Sequence, residues 1–291
     1  MKSKNDVVKK AAYVFIEEYE NRTGKRPTGI LFNKFMVLLN RHLLSKGTDM
    51  HLPHCWYRWG DEVVRFSMPY IDWEHATAGT FVSFDDLYVP RIGSDDDTVS
   101  EIKEFALSFI DRYSGKYGHE EAIDETYTEA PYEFQNAYRA LRESLRLSRQ
   151  KKSPANFEEY IGSIFDVVKN SFPKEFNTIH PYFEEFSEVF QYALNHGTSR
   201  EKLFDLSESF WFFFCYYLRL DKKCHANVSR ETLNAWREVL PDETEFYEHI
   251  IQNYAASFCA GDDSVSPVIK NLLDSRQARL DEIRKILAEL Y

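Results

Sequence analysis

Apolar residues recur at intervals of three and four through most of this 291-residue chain, and many are aromatic: 23 Phe, 18 Tyr and 5 Trp. That spacing collects them on one face of a helix, whereas a strand would alternate them between two faces. Gly and Pro are sparse, at 11 and 10 residues, which disfavours a fold made of many tight turns. The longest unbroken apolar run is the nine-residue stretch 210–218, FWFFFCYYL. A membrane-spanning helix needs roughly 18 apolar residues or more, so this run reads as a buried helix and no membrane contact is expected. The segments FEEYIGSIF and PYFEEFSEVFQYAL read in the same way, as core stripes.

The pattern predicts helices over 6–22 and 28–46, the second capped by Thr28 and stopped by Gly47. β-formers then flank Gly60-Asp61, predicting a hairpin from 55–59 and 62–68, with a further strand over 80–89 closed by Pro90. Residues 93–97 read as an exposed acidic loop. Helices follow over 98–113, 119–128 and 132–150, and 151–155 reads as a linker because Pro154 ends helical structure. Beyond it helices are predicted over 156–171, 181–196, 200–219, 229–239, 243–259 and 265–289, with no strand. In the last, Leu280, Ile283, Leu287 and Leu290 share one side, for docking on its own domain or for a dimer contact. The expected fold is therefore mainly α. A winged-helix-like N-terminal module with a small β-hairpin or sheet (1–152) precedes an all-α helical module (153–291), the latter for interaction or dimerisation.

Charge separates the possible functions more sharply than the net value of −11 does. Residues 1–60 carry a net of +6, 61–135 a net of −13, 136–152 a net of +5 and 153–291 a net of −9. Two basic islands sit in an acidic chain. In a winged-helix reading the helix 28–46 enters a DNA groove and offers Lys34, Arg41 and Lys46. Lys25 and Arg26 would stand at its approach, and Arg58 and Arg65 on the hairpin would meet the backbone. The same helix is apolar enough to be a scaffold helix under a sheet, and only two helices precede the hairpin where a winged helix has three. The second island is a helix on which Arg139, Arg142, Arg146 and Arg149 step by 3, 4 and 3 and form one stripe. They would bind phosphates, pair with the acidic segment 61–135, or meet a partner's acidic surface.

Chemistry-bearing motifs are absent. No GxSxG, Walker loop, HExxH or GxGxxG occurs. His51, His54 and Cys55 crowd together, and Cys224-His225 stand alone, so a zinc site fails on ligand count. These histidines read as packing and hairpin-edge hydrogen bonds. Consecutive acids at 85–86, 95–97, 120–121 and 124–125 read as solvated surface or helix-start charge. No catalytic residue, metal or cofactor is assigned, and an unrecognised hydrolase is the least favoured reading. Met1 leads into the polar run 2–6 instead of a signal peptide. The four cysteines have no CxxC spacing, and Cys215 and Cys259 lie in apolar stretches, so a reduced cytoplasmic setting is expected.

The string LPHCWYRWGDEVVR (52–65), followed by MPYIDW, resembles an LPHxWYxxG string that recurs in archaeal proteins. The helix–helix–hairpin opening is loosely similar to antitoxin and regulatory domains of the Panacea type, although Gly60-Asp61 stands where that group has a Tyr-Gly-Pro-Val-like turn. The resemblance covers about the first half of the chain and carries over no catalytic residue. It implies a non-enzymatic module that binds DNA or another protein. The expected function is thus a non-enzymatic intracellular regulator or antitoxin-like adaptor. Its basic N-terminal surfaces would bind DNA or RNA, and its helical half a protein partner or a second copy. The alternative is a protein-interaction or structural component with no nucleic-acid contact.

Overall fold

Thr28 starts the helix on which the N-terminal core is built. Its hydroxyl accepts from the Leu31 amide at 3.3 Å, satisfying one of the N–H groups that a helix start leaves without a partner. In the computed structural model, which describes residues 4–77, 79–91, 97–149 and 156–260, α1 (Lys4–Thr23) precedes this helix, α2 (Gly29–Ser45). Gly47 takes a left-handed φ of +86° just past its end, where a Cβ would be strained. Apolar residues surround α2, and burial follows: Leu31, Phe32, Phe35, Met36, Leu39 and Leu43 are at most 1% exposed. Phe35 stacks on Phe15 of α1 at 4.1 Å, and Phe109 meets Phe35 edge-on at 5.5 Å. Each such ring, once buried, contributes about 1.5–3 kcal/mol. α3 (Asp97–Tyr113), which carries Phe109, and α4 (Gly118–Tyr127) complete the helices of this unit.

The molecule is mainly helical with small antiparallel sheets, and the strands differ from expectation in three ways. β1 (His54–Tyr57) pairs with β2 (Gly60–Val63) so that Tyr57 faces Gly60. The hairpin therefore turns at Arg58-Trp59, and Gly60-Asp61 belong to a strand. Gly60 has φ +92°, a left-handed conformation that glycine adopts without strain directly after a tight turn. The segment expected to form one strand over 80–89 is instead the second arm of a separate hairpin, β3 (Ile71–Ala76) with β4 (Gly79–Phe84), and ends in a 3₁₀ turn at Asp86–Tyr88. Asp85 caps that turn by accepting from the Leu87 amide at 2.9 Å. Finally, β5 (His225–Ala226) pairs with His54-Cys55 as the third strand beside β1. Two residues are too few for any period to reveal.

Two compact units result. One comprises the described residues through Glu129 together with Asp221–Arg230, the other Ala130–Leu220 and the described residues from Glu231 on. The second holds α5 (Glu133–Arg149), α6 (Phe157–Asn170), α7 (His180–Asn195), α8 (Arg200–Leu218), α9 (Arg230–Glu238) and α10 (Leu240–Ala260). The FWFFFCYYL run is the interior of α8. Phe210 stacks on Phe186 at 4.7 Å, Phe213 on Tyr247 at 4.3 Å and Trp211 on Tyr138 at 5.1 Å. Among the described residues no helix is long and apolar enough to cross a membrane. The expected linker at 151–155, most of the acidic loop at 93–97 and the expected helix over 265–289 lie outside the described residues, as does the Cys259 side chain.

Candidate functional site

The two-residue shift of the hairpin turn decides where the N-terminal cations go. Asp61, carried inward on β2, is 2% exposed. One of its oxygens lies 2.7 Å from His54 Nδ1 on the facing strand, and the other accepts from the Arg41 guanidinium at 3.2 Å. Its backbone carbonyl takes the Lys34 ammonium at 2.7 Å. Arg41 also donates to the Thr126 carbonyl and meets Glu129, each at 3.2 Å. Burial pushes the Asp61 carboxyl up. The charge and hydrogen bond of His54, with the charges of Arg41 and Lys34, outweigh that and hold it below the usual carboxylate range. Arg41 and His54 thus meet the buried carboxylate of Asp61, and Lys34 meets the backbone carbonyl of the same residue.

Lys34 and Arg41, expected to face a groove, are therefore interior: Lys34 is 1% exposed, and the Arg41 side chain is 18% exposed. The physical reason is that a helix apolar on every side is enveloped by its own unit, so its polar residues need internal partners. Of the remaining N-terminal cations, Arg26 pairs with Glu74 at 2.5 Å and Lys46 with Glu101 at 2.5 Å, all four partly exposed. Arg65 lies over the Trp73 ring at 4.5 Å and Arg58 over Tyr57 at 5.5 Å. Lys25 is exposed.

The arginine stripe on α5 is also occupied. Arg142 is 7% exposed and grips Glu208 with two donors, the Nη2–Oε2 contact at 2.8 Å, while lying over the Trp211 ring at 5.4 Å. Arg146 pairs with Glu143 one turn away at 2.6 Å, and Arg149 pairs with Glu201 of α8. Arg139 is half-buried. The internal partners are thus Glu143, Glu201 and Glu208. The acidic segment 61–135 supplies none of these three: helix spacing and the α5–α8 packing bring nearer carboxylates to the stripe.

The isolated histidines make short-range bonds. His51 contacts Asp49 at 3.1 Å, His75 contacts Thr80 at 2.9 Å, and His119 of α4 contacts Thr28 at 2.8 Å. Cys224 is buried, and its carbonyl accepts from the Trp56 amide at 2.7 Å. Sequence reasoning missed Asp61 as the organiser of this region. The available signal was an acid directly after a Gly inside an aromatic strand pair. No family model, curated protein or solved structure matches this chain.

Proposed function

We propose that this protein is a non-enzymatic binding module, a regulator or adaptor that works through a protein or small-molecule partner and makes no polyanion contact through its basic islands. The observation that carries this reading is the internal commitment of the cations. Lys34 and Arg41 are gathered on Asp61, and Arg142 is held by Glu208. Arg26, Lys46, Arg146 and Arg149 each have a carboxylate beside them. A protein gains affinity for a phosphate backbone when its Lys and Arg side chains neutralise phosphates and release the counterions condensed on the nucleic acid. For these seven cations each contact would first displace an acid of the same chain. A winged-helix-like use of the first unit, with α2 in a groove, would also require the exposure of a helix whose Leu31, Phe35 and Leu39 are at most 1% exposed. The Panacea-like resemblance of the helix–helix–hairpin opening implies a non-enzymatic module and is retained on the side of protein recognition.

A gel-shift titration with duplex DNA and with single-stranded RNA, repeated across salt concentrations, tests the proposal. The expected result is no saturable shift at ~100 μM protein and ~50 mM salt, a concentration at the weak end of ordinary non-specific nucleic-acid binding. Retention that falls steeply with salt would overturn it in favour of a nucleic-acid regulator.

A further inference from the structure

Leu147, Tyr160, Val167 and Tyr192 are the large apolar side chains exposed on the second unit among the described residues, and the first three border one groove. Tyr160 and Val167 stand seven positions apart on α6, hence on one side of it, with half-buried Ile164 between them. The adjoining side of α5 carries Ser144, whose hydroxyl lies 3.3 Å from that of Tyr160, and Leu147 one turn further on. Exposed Ala140 lies one turn before Ser144, and its small side chain adds apolar surface without filling the groove. The helix α6 already buries a core stripe of Phe157, Ile161, Phe165 and Val168. Val167 at 57% exposed and Tyr160 at 44% therefore belong to a second apolar stripe, one that the described packing leaves open. A contiguous apolar surface of this kind marks a place where another segment docks.

We infer that the C-terminal segment of the same chain lies in this groove, with Leu280, Ile283, Leu287 and Leu290 against Tyr160, Ile164 and Val167. The chain continues past Ala260, where α10 ends, to Tyr291. Those four residues step by 3, 4 and 3, the period that lays one apolar edge along another, and Tyr160, Ile164 and Val167 step by 4 and 3. Charge agrees with this occupant. Between 276 and 285 the segment carries Arg276, Arg279, Arg284 and Lys285 against Asp281 and Glu282. The helix α6 exposes Glu158, Glu159 and Asp166 against Lys169. A second copy seated on the groove about a twofold axis would set those acids against themselves, whereas the basic segment complements them. Reach is ample: residues 261–279 span up to about 60 Å when extended, and α6 is about 20 Å long. Both α10 and α6 pack on α7, so the segment leaves from the same helical unit. Being tethered, it acts at an effective concentration on the order of 1 mM, ahead of any free partner present at less. None of Arg139, Arg142, Arg146 and Arg149 is needed for this contact, so the inference is independent of the nucleic-acid reading.

Thiol labelling of the full chain tests it. Val167→Cys places a thiol in the groove, and Asn170→Cys, at an exposed position of the same helix, is the reference. Peptide mass spectrometry reads each site apart from the native cysteines. Maleimide should react at position 167 at least about tenfold more slowly than at 170. Adding Ile283→Glu and Leu287→Glu should bring the two rates within about twofold. The protection should be the same from ~1 to ~100 μM protein, as an intrachain contact requires. Hydrogen exchange gives the reciprocal readout without a new thiol: Val167→Glu should speed exchange of the amides of 280–290 about tenfold. Equal labelling at 167 and 170, protection that survives both changes to Glu, or exchange of 280–290 unmoved by Val167→Glu overturns the inference. Protection that grows with protein concentration also overturns it, and assigns the groove to a second copy.

Discussion

His54 Nδ1 and Asp61 Oδ1 lie 2.7 Å apart across the β1–β2 hairpin, and the same carboxylate receives Arg41 of α2 on its other oxygen. This one buried acid ties the hairpin to the central helix of the unit. It also converts cations that a linear reading assigns to a ligand surface into structural partners.

Replacing Asp61 with Asn leaves Arg41 and Lys34 without their buried negative charge, and the loss at neutral pH should be about 3–5 kcal/mol. The acid limb follows from the direction of the pKa shift. The folded carboxyl titrates below its unfolded value, so its stabilisation is full above the ordinary carboxylate pKa of about 4 and is lost as pH falls through the folded value. The stability difference between wild type and Asp61→Asn should therefore narrow as pH drops from about 5 to 3. Urea unfolding at each pH reads it, and a difference that stays constant would show that Asp61 contributes no ionised pair.

Gly60 and Gly47 both occupy left-handed φ, at +92° and +86°, but only Gly60 is crowded. A Cβ there would stand 2.8 Å from the Tyr127 ring and 3.2 Å from the Thr126 hydroxyl, whereas nothing lies within 4 Å of a Cβ at Gly47. Alanine at 47 should cost only the backbone strain, about 1 kcal/mol. Alanine at 60 should cost at least about 2 kcal/mol. Equal losses in denaturant melts would contradict the close approach of α4 to the hairpin.

The Arg142–Glu208 pair should behave as a buried ion pair does. Arg142→Met alone strands the Glu208 carboxylate and should cost about 3–5 kcal/mol, while the double change to Met at both positions should recover most of that. A double-mutant cycle measures this, and additive losses would mean that the two residues are not coupled.

Arg146 and Arg149 hold exposed or half-exposed carboxylates, and such pairs contribute about 0–1 kcal/mol. Reversing both to Glu should shift stability by no more than about 1 kcal/mol and leave the gel-shift result unchanged. If wild type retains nucleic acid and this variant does not, the stripe faces a polyanion.

Most helices were legible because burial on helices such as α6 follows the helical period, at Phe157, Ile161, Phe165 and Val168; the run 210–218 became the interior of α8, and Thr28 capped α2 as its position demands. The strands were harder to read. Gly60-Asp61 is a familiar turn pair, but a left-handed Gly also follows a turn, and only pairing settles which role it takes. β5 depends on a contact between residues some 170 positions apart, which no local pattern encodes. The arginine stripe was legible as a stripe. Its partners were not, because Glu201 and Glu208 come to it only through the packing of α8 on α5.

Asp61 gathers Arg41 inward through its carboxylate, and a ¹³C NMR pH titration of the Asp61 carboxyl measures this directly. The prediction is a resonance that remains ionised through the ordinary carboxylate range of about pH 4, where exposed acids of the same chain protonate. A carboxyl that titrates with them near pH 4, and that is unmoved by Arg41→Met, would show that Arg41 is not held by Asp61 and would return it to the surface.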